Sequence, residues 1–109
     1  MVNVWLDDVR RAPDGWVHVK TAAACVAALR AYDVGVASLD HDLGNPLKVG
    51  TGMDVMRWLL RRAQAGDAMP AEIRIHTANG RARVAMAGML SRIGKEALRF
   101  RNGFEGIDP

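Results

Sequence analysis

The chain has 109 residues, 50% of them hydrophobic, and a formal net charge of +3, which is one domain's length and enough apolar material to fold without disulfide or metal staples. A single cysteine excludes a disulfide framework, and neither a signal peptide nor a bilayer-spanning apolar run is read, so a reducing, cytoplasmic setting without membrane contact is expected. Twelve of the 15 cations are arginine, whose rigid fork suits phosphate oxygens, while the lack of a basic stripe interleaved with aromatics leaves nucleic-acid binding without support.

No internal repeat, low-complexity segment or linker interrupts the chain. MVNVWLDD (1–8) opens with alternating Val2, Val4 and Leu6 and predicts a strand. RAPDG is a turn punctuated by Pro13 and Gly15, and WVHV (16–19) is a short second strand, with His18 in a structural place. Thr21 caps a helix of about twelve residues, with Ala22, Cys25, Val26 and Leu29 at helical spacing. Within that pattern Cys25 reads as a core thiol and not a nucleophile. VGVASL (34–39) is an apolar third strand of the kind buried on both faces.

A Gly/Pro-rich loop leads to TGMDVMRWLLRRAQAG (51–66), where Thr51 and Asp54 resemble a capping box. Met53, Met56, Leu59, Leu60 and Ala63 form the apolar stripe of this helix, and Gly66 stops it. Trp58 beside them is assigned to the core or to a homodimer face. After Pro70, EIRIHTAN (72–79) predicts the fourth strand. GRARVAMAGMLSRIG (80–94) is a third helix with Ala82, Ala85, Met86, Met89, Leu90 and Ile93 facing inward. In the tail, 95–109, EALRF reads as an edge strand or short helix and NG as a turn.

Strands alternating with helices over one domain, 1–109, argue for an α/β fold with a mainly parallel sheet. One connection is awkward. About seven residues separate the first two strands, where a parallel crossover usually takes a dozen or more. Either the link is tight or WVHV is an edge strand of mixed direction.

Ligands of open parallel sheets bind beyond the carboxyl ends of the strands. The first strand ends in Asp7-Asp8, the third in Asp40-His41-Asp42, and the fourth in His76-Thr77-Ala78-Asn79. Carboxylates gathered at one edge must share protons or hold a cation. Asp7, Asp8, Asp40 and Asp42 therefore stand as ligands for Mg²⁺ or Mn²⁺, with His41 and His76 shifting the preference towards Mn²⁺ or a similar ion. Thr77 and Asn79 could contact a phosphoryl oxygen. The N-terminus of the following helix favours an anion, and Arg81 and Arg83 in its first turn could clamp a phosphate. Each residue also has a plainer role open to it. Asp7, Asp8 and Asp42 could cap turns, His41 could be an ordinary loop residue, and Thr77 and Asn79 could cap the helix.

The acidic pair after the first strand, Asp40 after the third and Thr77 after the fourth resemble the receiver (response-regulator) fold. GTGMDV also looks like the stretch that opens the helix after a receiver's acceptor strand. WLDDVRRAPDGW, SLDHDLG and IHTAN followed by Arg and Met resemble a narrower group, the cyclic-phosphate-processing receiver family, associated with bacterial and phage conflict systems. The resemblance covers residues 5 to about 90. It implies a three-layer, flavodoxin-like fold: a mainly parallel sheet of four to five strands with helices on both faces. It also implies Asp7, Asp8, Arg10, Asp40, His41, Asp42, His76, Thr77, Asn79 and Arg83 as site residues. Thr77 stands where the family more often has Ser, and Gly80 where it often has Pro. No lysine clearly follows a fifth strand, Lys95 being a weak candidate, which argues against plain histidine-kinase signalling.

What the family implies is action on, or binding of, a cyclic or esterified phosphate of the nucleotide type. Three functions follow. A metal-dependent phosphoesterase would polarise the phosphoryl group at the cation, or attack it through Asp40, with Asp40, His41, His76 and Thr77 as catalytic groups and Arg10, Thr77, Asn79, Arg81 and Arg83 as phosphate contacts. A non-catalytic nucleotide- or protein-binding module would need only the anion site. A conventional switch would be phosphorylated on Asp40.

Overall fold

The computed structural model describes residues 1–101; the NG turn expected at 102–103 lies outside them. Four strands form one sheet: β1 (Val2–Leu6), β2 (Val17–Val19), β3 (Val34–Leu39) and β4 (Glu72–Ile75), in the order β2-β1-β3-β4, with every pairing parallel. This order matches the first four strands of the flavodoxin-like 2-1-3-4-5 arrangement, with the parallel sheet that the resemblance implies; among the described residues the three long helices all pack on one face of it.

The register decides which side chains share a face. Val4 pairs with Val17 and Ala37, and Leu6 with Val19 and Leu39. Ala37 and Leu39 pair in turn with Ile73 and Ile75. In-register residues of parallel strands point the same way, so this face is wholly apolar. Its partners lie on three helices, α1 (Ala22–Ala31), α3 (Gly52–Ala65) and α4 (Gly80–Arg101). Cys25 and Leu29, Met56 and Leu59, and Met86 and Ile93 join Val4, Leu6, Ala37 and Leu39 in one buried cluster. Trp5, His18, Ser38 and Arg74 occupy the other face, also in register.

Local chemistry fixes the helix ends. The Thr21 side chain accepts from the Ala24 N–H at the start of α1. Thr51 and Asp54 form the reciprocal capping box of α3, and Gly66, at φ 75°, closes it in the left-handed conformation. Asn79 caps α4 by accepting the Ala82 N–H at 3.0 Å.

The structure corrects the sequence reading in several places. The first strand stops at Leu6 rather than residue 8 and the fourth at Ile75 rather than 79, because the polar residues beyond them turn back to bond their own backbone. The second begins at Val17 rather than residue 16. β2 is a parallel edge strand, and its link, residues 7–16, is tight without strain. Val17 starts level with Val4, so the chain need only retreat from Leu6 to Val4, about 7 Å at the rise of an extended strand. The Gly/Pro-rich loop contains a short helix, α2 (Pro46–Val49), capped by Asn45 with Pro46 in its first turn, where a missing N–H costs nothing. EALRF continues α4 instead of forming a separate element. Gly94 costs about 1 kcal/mol there, offset by the good helix formers after it and the Glu96–Arg99 ion pair at 2.9 Å. Ala85 is exposed, not inward: Ala82, Met86 and Ile93 carry the buried stripe of α4. Trp58 is half-buried, with the Arg62 guanidinium 4.9 Å from its ring centroid.

Candidate functional site

Leu6, Leu39 and Ile75 are the last residues of β1, β3 and β4 and lie side by side in register. The next residues are Asp7, Asp40 and His76. Their backbones each carry the ladder one step further: Asp40 N–H donates to Leu6 O and His76 N–H to Leu39 O, both at 3.0 Å, and Asp7 N–H to Val19 O at 3.1 Å. The three side chains therefore leave the sheet at one level and at the same phase of the pleat, opposite to the core-facing leucines. One ligand atom from each, two carboxylate oxygens and an imidazole nitrogen, lies within 4.8 Å of the other two, so the group could hold a metal ion.

Asp7 is 1% exposed. Its Oδ1 accepts the N–H groups of Val9 and Arg10, both at 2.8 Å, and Oδ2 lies 3.0 Å from His76 Nε2. Burial pushes its carboxyl up, but the hydrogen bonds from Arg10, Val9 and His76 outweigh that and hold it below the usual value. Arg10 approaches Oδ2 at 3.7 Å and donates to the His76 carbonyl at 2.9 Å. Asp40 is 7% exposed, and its Oδ1 accepts the His41 N–H at 2.8 Å. His76 Nδ1 lies 2.8 Å from Ser38 Oγ. Its ring stacks on Trp5 with centroids 3.9 Å apart and planes 5° from parallel.

The donor set suits a divalent ion. Octahedral ligands about 2.1 Å from a centre lie roughly 3.0 Å apart on adjacent vertices, which is the separation of Asp7 Oδ2 and His76 Nε2. Carboxylate oxygens alone favour Mg²⁺, and an imidazole nitrogen among them favours Mn²⁺.

Asp8 is half-buried and stands outside the three-residue group. Asp42 is exposed. It lies 2.8 Å from His41 Nδ1 and accepts from Asn79 Nδ2 at 3.2 Å, and these two partners hold its carboxyl below the usual value. Thr77 is 1% exposed, and its hydroxyl accepts the Asn79 N–H at 3.1 Å. Arg83 donates to the Thr77 carbonyl at 2.7 Å, and Arg81 is exposed on the first turn of α4. Thr77, Asn79 and Arg83 thus all build the loop that carries His76 into α4. His18 lies 2.7 Å from the Asp7 carbonyl through Nε2. The sequence reading misses Ser38 and Trp5, although each sits two residues before a site carboxylate and hence on its face.

A cavity of about 650 Å³, bounded by Met69, Pro70, Glu72, Ile73, Leu90 and Ile93, opens at the amino end of β4, the end opposite the acidic group. No helix among the described residues is long and apolar enough to cross a membrane.

Residues 2–92 match the family model of the cyclic-phosphate processing receiver domain. That span is most of the chain, and the chain belongs to this family, so the all-parallel sheet with its helices is a receiver-like α/β fold. No curated protein and no solved structure matches the chain.

Proposed function

We propose that this member of the cyclic-phosphate processing receiver family holds Mg²⁺ or Mn²⁺ between Asp7, Asp40 and His76, and there binds and hydrolyses a cyclic or otherwise esterified phosphate of the nucleotide type. The observation that carries the reading is the convergence of those three side chains, from the ends of three strands, within 4.8 Å. The family's name, cyclic-phosphate processing, supplies the ligand class. A bound divalent ion supplies polarisation of a phosphoryl oxygen and a lowered pKa for an attacking water.

The chain's own groups do the rest. His41 Nδ1 is engaged by Asp42, which leaves Nε2 to take a proton from the attacking water or return one to the leaving oxygen. Arg10 uses one N–H on the His76 carbonyl, and its remaining donors can meet an equatorial phosphoryl oxygen. Arg81, exposed on the first turn of α4, adds positive charge where free helix N–H groups already favour an anion. A phosphorylation switch is less well supported. The sheet has four strands, so among the described residues no fifth strand brings a lysine to Asp40.

The test is incubation with Mn²⁺ and a panel of 2′,3′-cyclic, 3′,5′-cyclic and cyclic dinucleotides, repeated with Asp40→Ala. Metal-dependent opening of at least one phosphate ring is expected, with a loss of turnover on the order of 10³-fold in the variant. Tight binding without turnover would instead make the protein a binding module. A stable acyl phosphate on Asp40 after acetyl phosphate treatment would make it a switch.

A further inference from the structure

The His76 ring is fixed on more sides than a metal ligand strictly needs. Trp5 covers one face, Arg10 holds its carbonyl, and Ser38, 3% exposed on β3, meets Nδ1 at 2.8 Å. Asp7 meets Nε2 at 3.0 Å. With an ionised Asp7 as acceptor, Nε2 carries the proton of the neutral ring and Nδ1 must accept one, which the Ser38 hydroxyl can donate. If Nε2 gives its lone pair to a cation, the proton must move to Nδ1, which then needs an acceptor. A hydroxyl serves in both states by rotating its own hydrogen. A carboxylate in its place could only accept, and an alanine could do neither.

We propose that Ser38 is the positioning residue that lets His76 exchange its hydrogen bond to Asp7 for a divalent cation without leaving its place in the site. The inference rests on the metal reading given above and adds to it a residue outside the candidate ligand set. The proton moves between ring nitrogens through solvent, so the exchange takes up and releases none overall. Trp5 holds the plane of the ring while the partners at its two nitrogens change character. The cost of loading the site is then a hydroxyl rotation and not a rearrangement of the loop.

The experiment uses the full chain and Mn²⁺ alone. Calorimetry measures Mn²⁺ affinity for wild type, Ser38→Ala and Ser38→Thr, and nitrogen-15 NMR of the metal-free protein reads the His76 tautomer. Expected are the Nε2–H tautomer in metal-free wild type, a roughly 10- to 100-fold loss of Mn²⁺ affinity in Ser38→Ala, and near wild-type affinity in Ser38→Thr, which restores the hydroxyl. A thermal melt of each variant confirms folding, and Ser38→Thr alone carries the comparison should Ser38→Ala not fold, a loss of Mn²⁺ affinity in it then counting against the role. Wild type that binds Mn²⁺ no better than Ser38→Ala, or a metal-free Nδ1–H tautomer, overturns the role of Ser38 and leaves the metal reading standing. Wild type that takes no Mn²⁺ overturns both.

Discussion

Asp40 is 7% exposed and lies beside a second buried carboxylate, Asp7. Two such charges repel unless a cation lies between them. Asp40→Asn keeps the shape and removes one charge, so the metal-free protein should gain about 1–4 kcal/mol, the range for two unit charges about 4 Å apart between a water-like dielectric and that of a protein site. Its melting temperature should no longer respond to Mn²⁺. Urea denaturation with and without the ion checks both; a metal-free loss of stability would mean that Asp40 serves the fold. Cys25 gives a pH prediction. Burial pushes its thiol up to about 12 from 9.0, so the folded state favours the neutral form. The associated stability is complete below pH 9 and is lost as pH rises from 9 towards 12. Cys25→Ala should flatten that alkaline limb, and a limb of unchanged slope would contradict the assignment. The site was partly legible at this scale. The period of two that turns Leu6, Leu39 and Ile75 to the core puts Asp7, Asp40 and His76 on the opposite side, together with Trp5 and Ser38. Asp8 and Asp42 fall one residue later or more, where the strand has ended and parity no longer governs direction, so sequence adjacency alone misranks them.

At the scale of elements, two glycines should respond in opposite senses. Gly52 opens α3 so close to β3 that a Cβ there would lie 1.9 Å from the Asp40 carbonyl oxygen. Its N–H also donates to the His41 carbonyl at 2.9 Å. Gly52→Ala must displace the loop that carries Asp40, at a cost of about 3 kcal/mol or more, and should weaken Mn²⁺ binding with it. A Cβ added at Gly94 would meet nothing within 4 Å, so Gly94→Ala should stabilise α4 by about 0.5–1 kcal/mol. Equal effects in a denaturation series would show that the α3 junction is not tight. Caps made the helices readable: Thr51 with Asp54 and Gly66 mark both ends of α3. α2 escaped because four residues show no periodicity, although Asn45-Pro46 is a cap followed by a first-turn proline. α4 runs past Gly94 because propensity after a breaker can outweigh the breaker, which a local signal does not reveal.

For the whole molecule, one cluster joins the sheet's apolar face to α1, α3 and α4, so the site stands on a single core. Met86, fully buried between α4 and that face, anchors the helix that follows the His76 loop. Met86→Ala should cost about 2–5 kcal/mol and lower Mn²⁺ affinity only as far as it populates the unfolded chain; a selective loss of affinity in a fully folded variant would mean that the loop depends on α4 more directly. Alternation of strands and helices revealed the parallel sheet and hence the edge where ligands gather. The direction of WVHV stayed open because the number of residues in a link does not show how far the chain must retreat, and three-residue β2 needs little. The central claim is that Asp7, Asp40 and His76 together receive a divalent ion. A crystal grown with saturating Mn²⁺ and measured for anomalous scattering tests it most directly. One strong peak is expected about 2.1 Å from a carboxylate oxygen of each aspartate and from His76 Nε2. A map with no peak there, or with the ion on Asp8 or Asp42 instead, would contradict it.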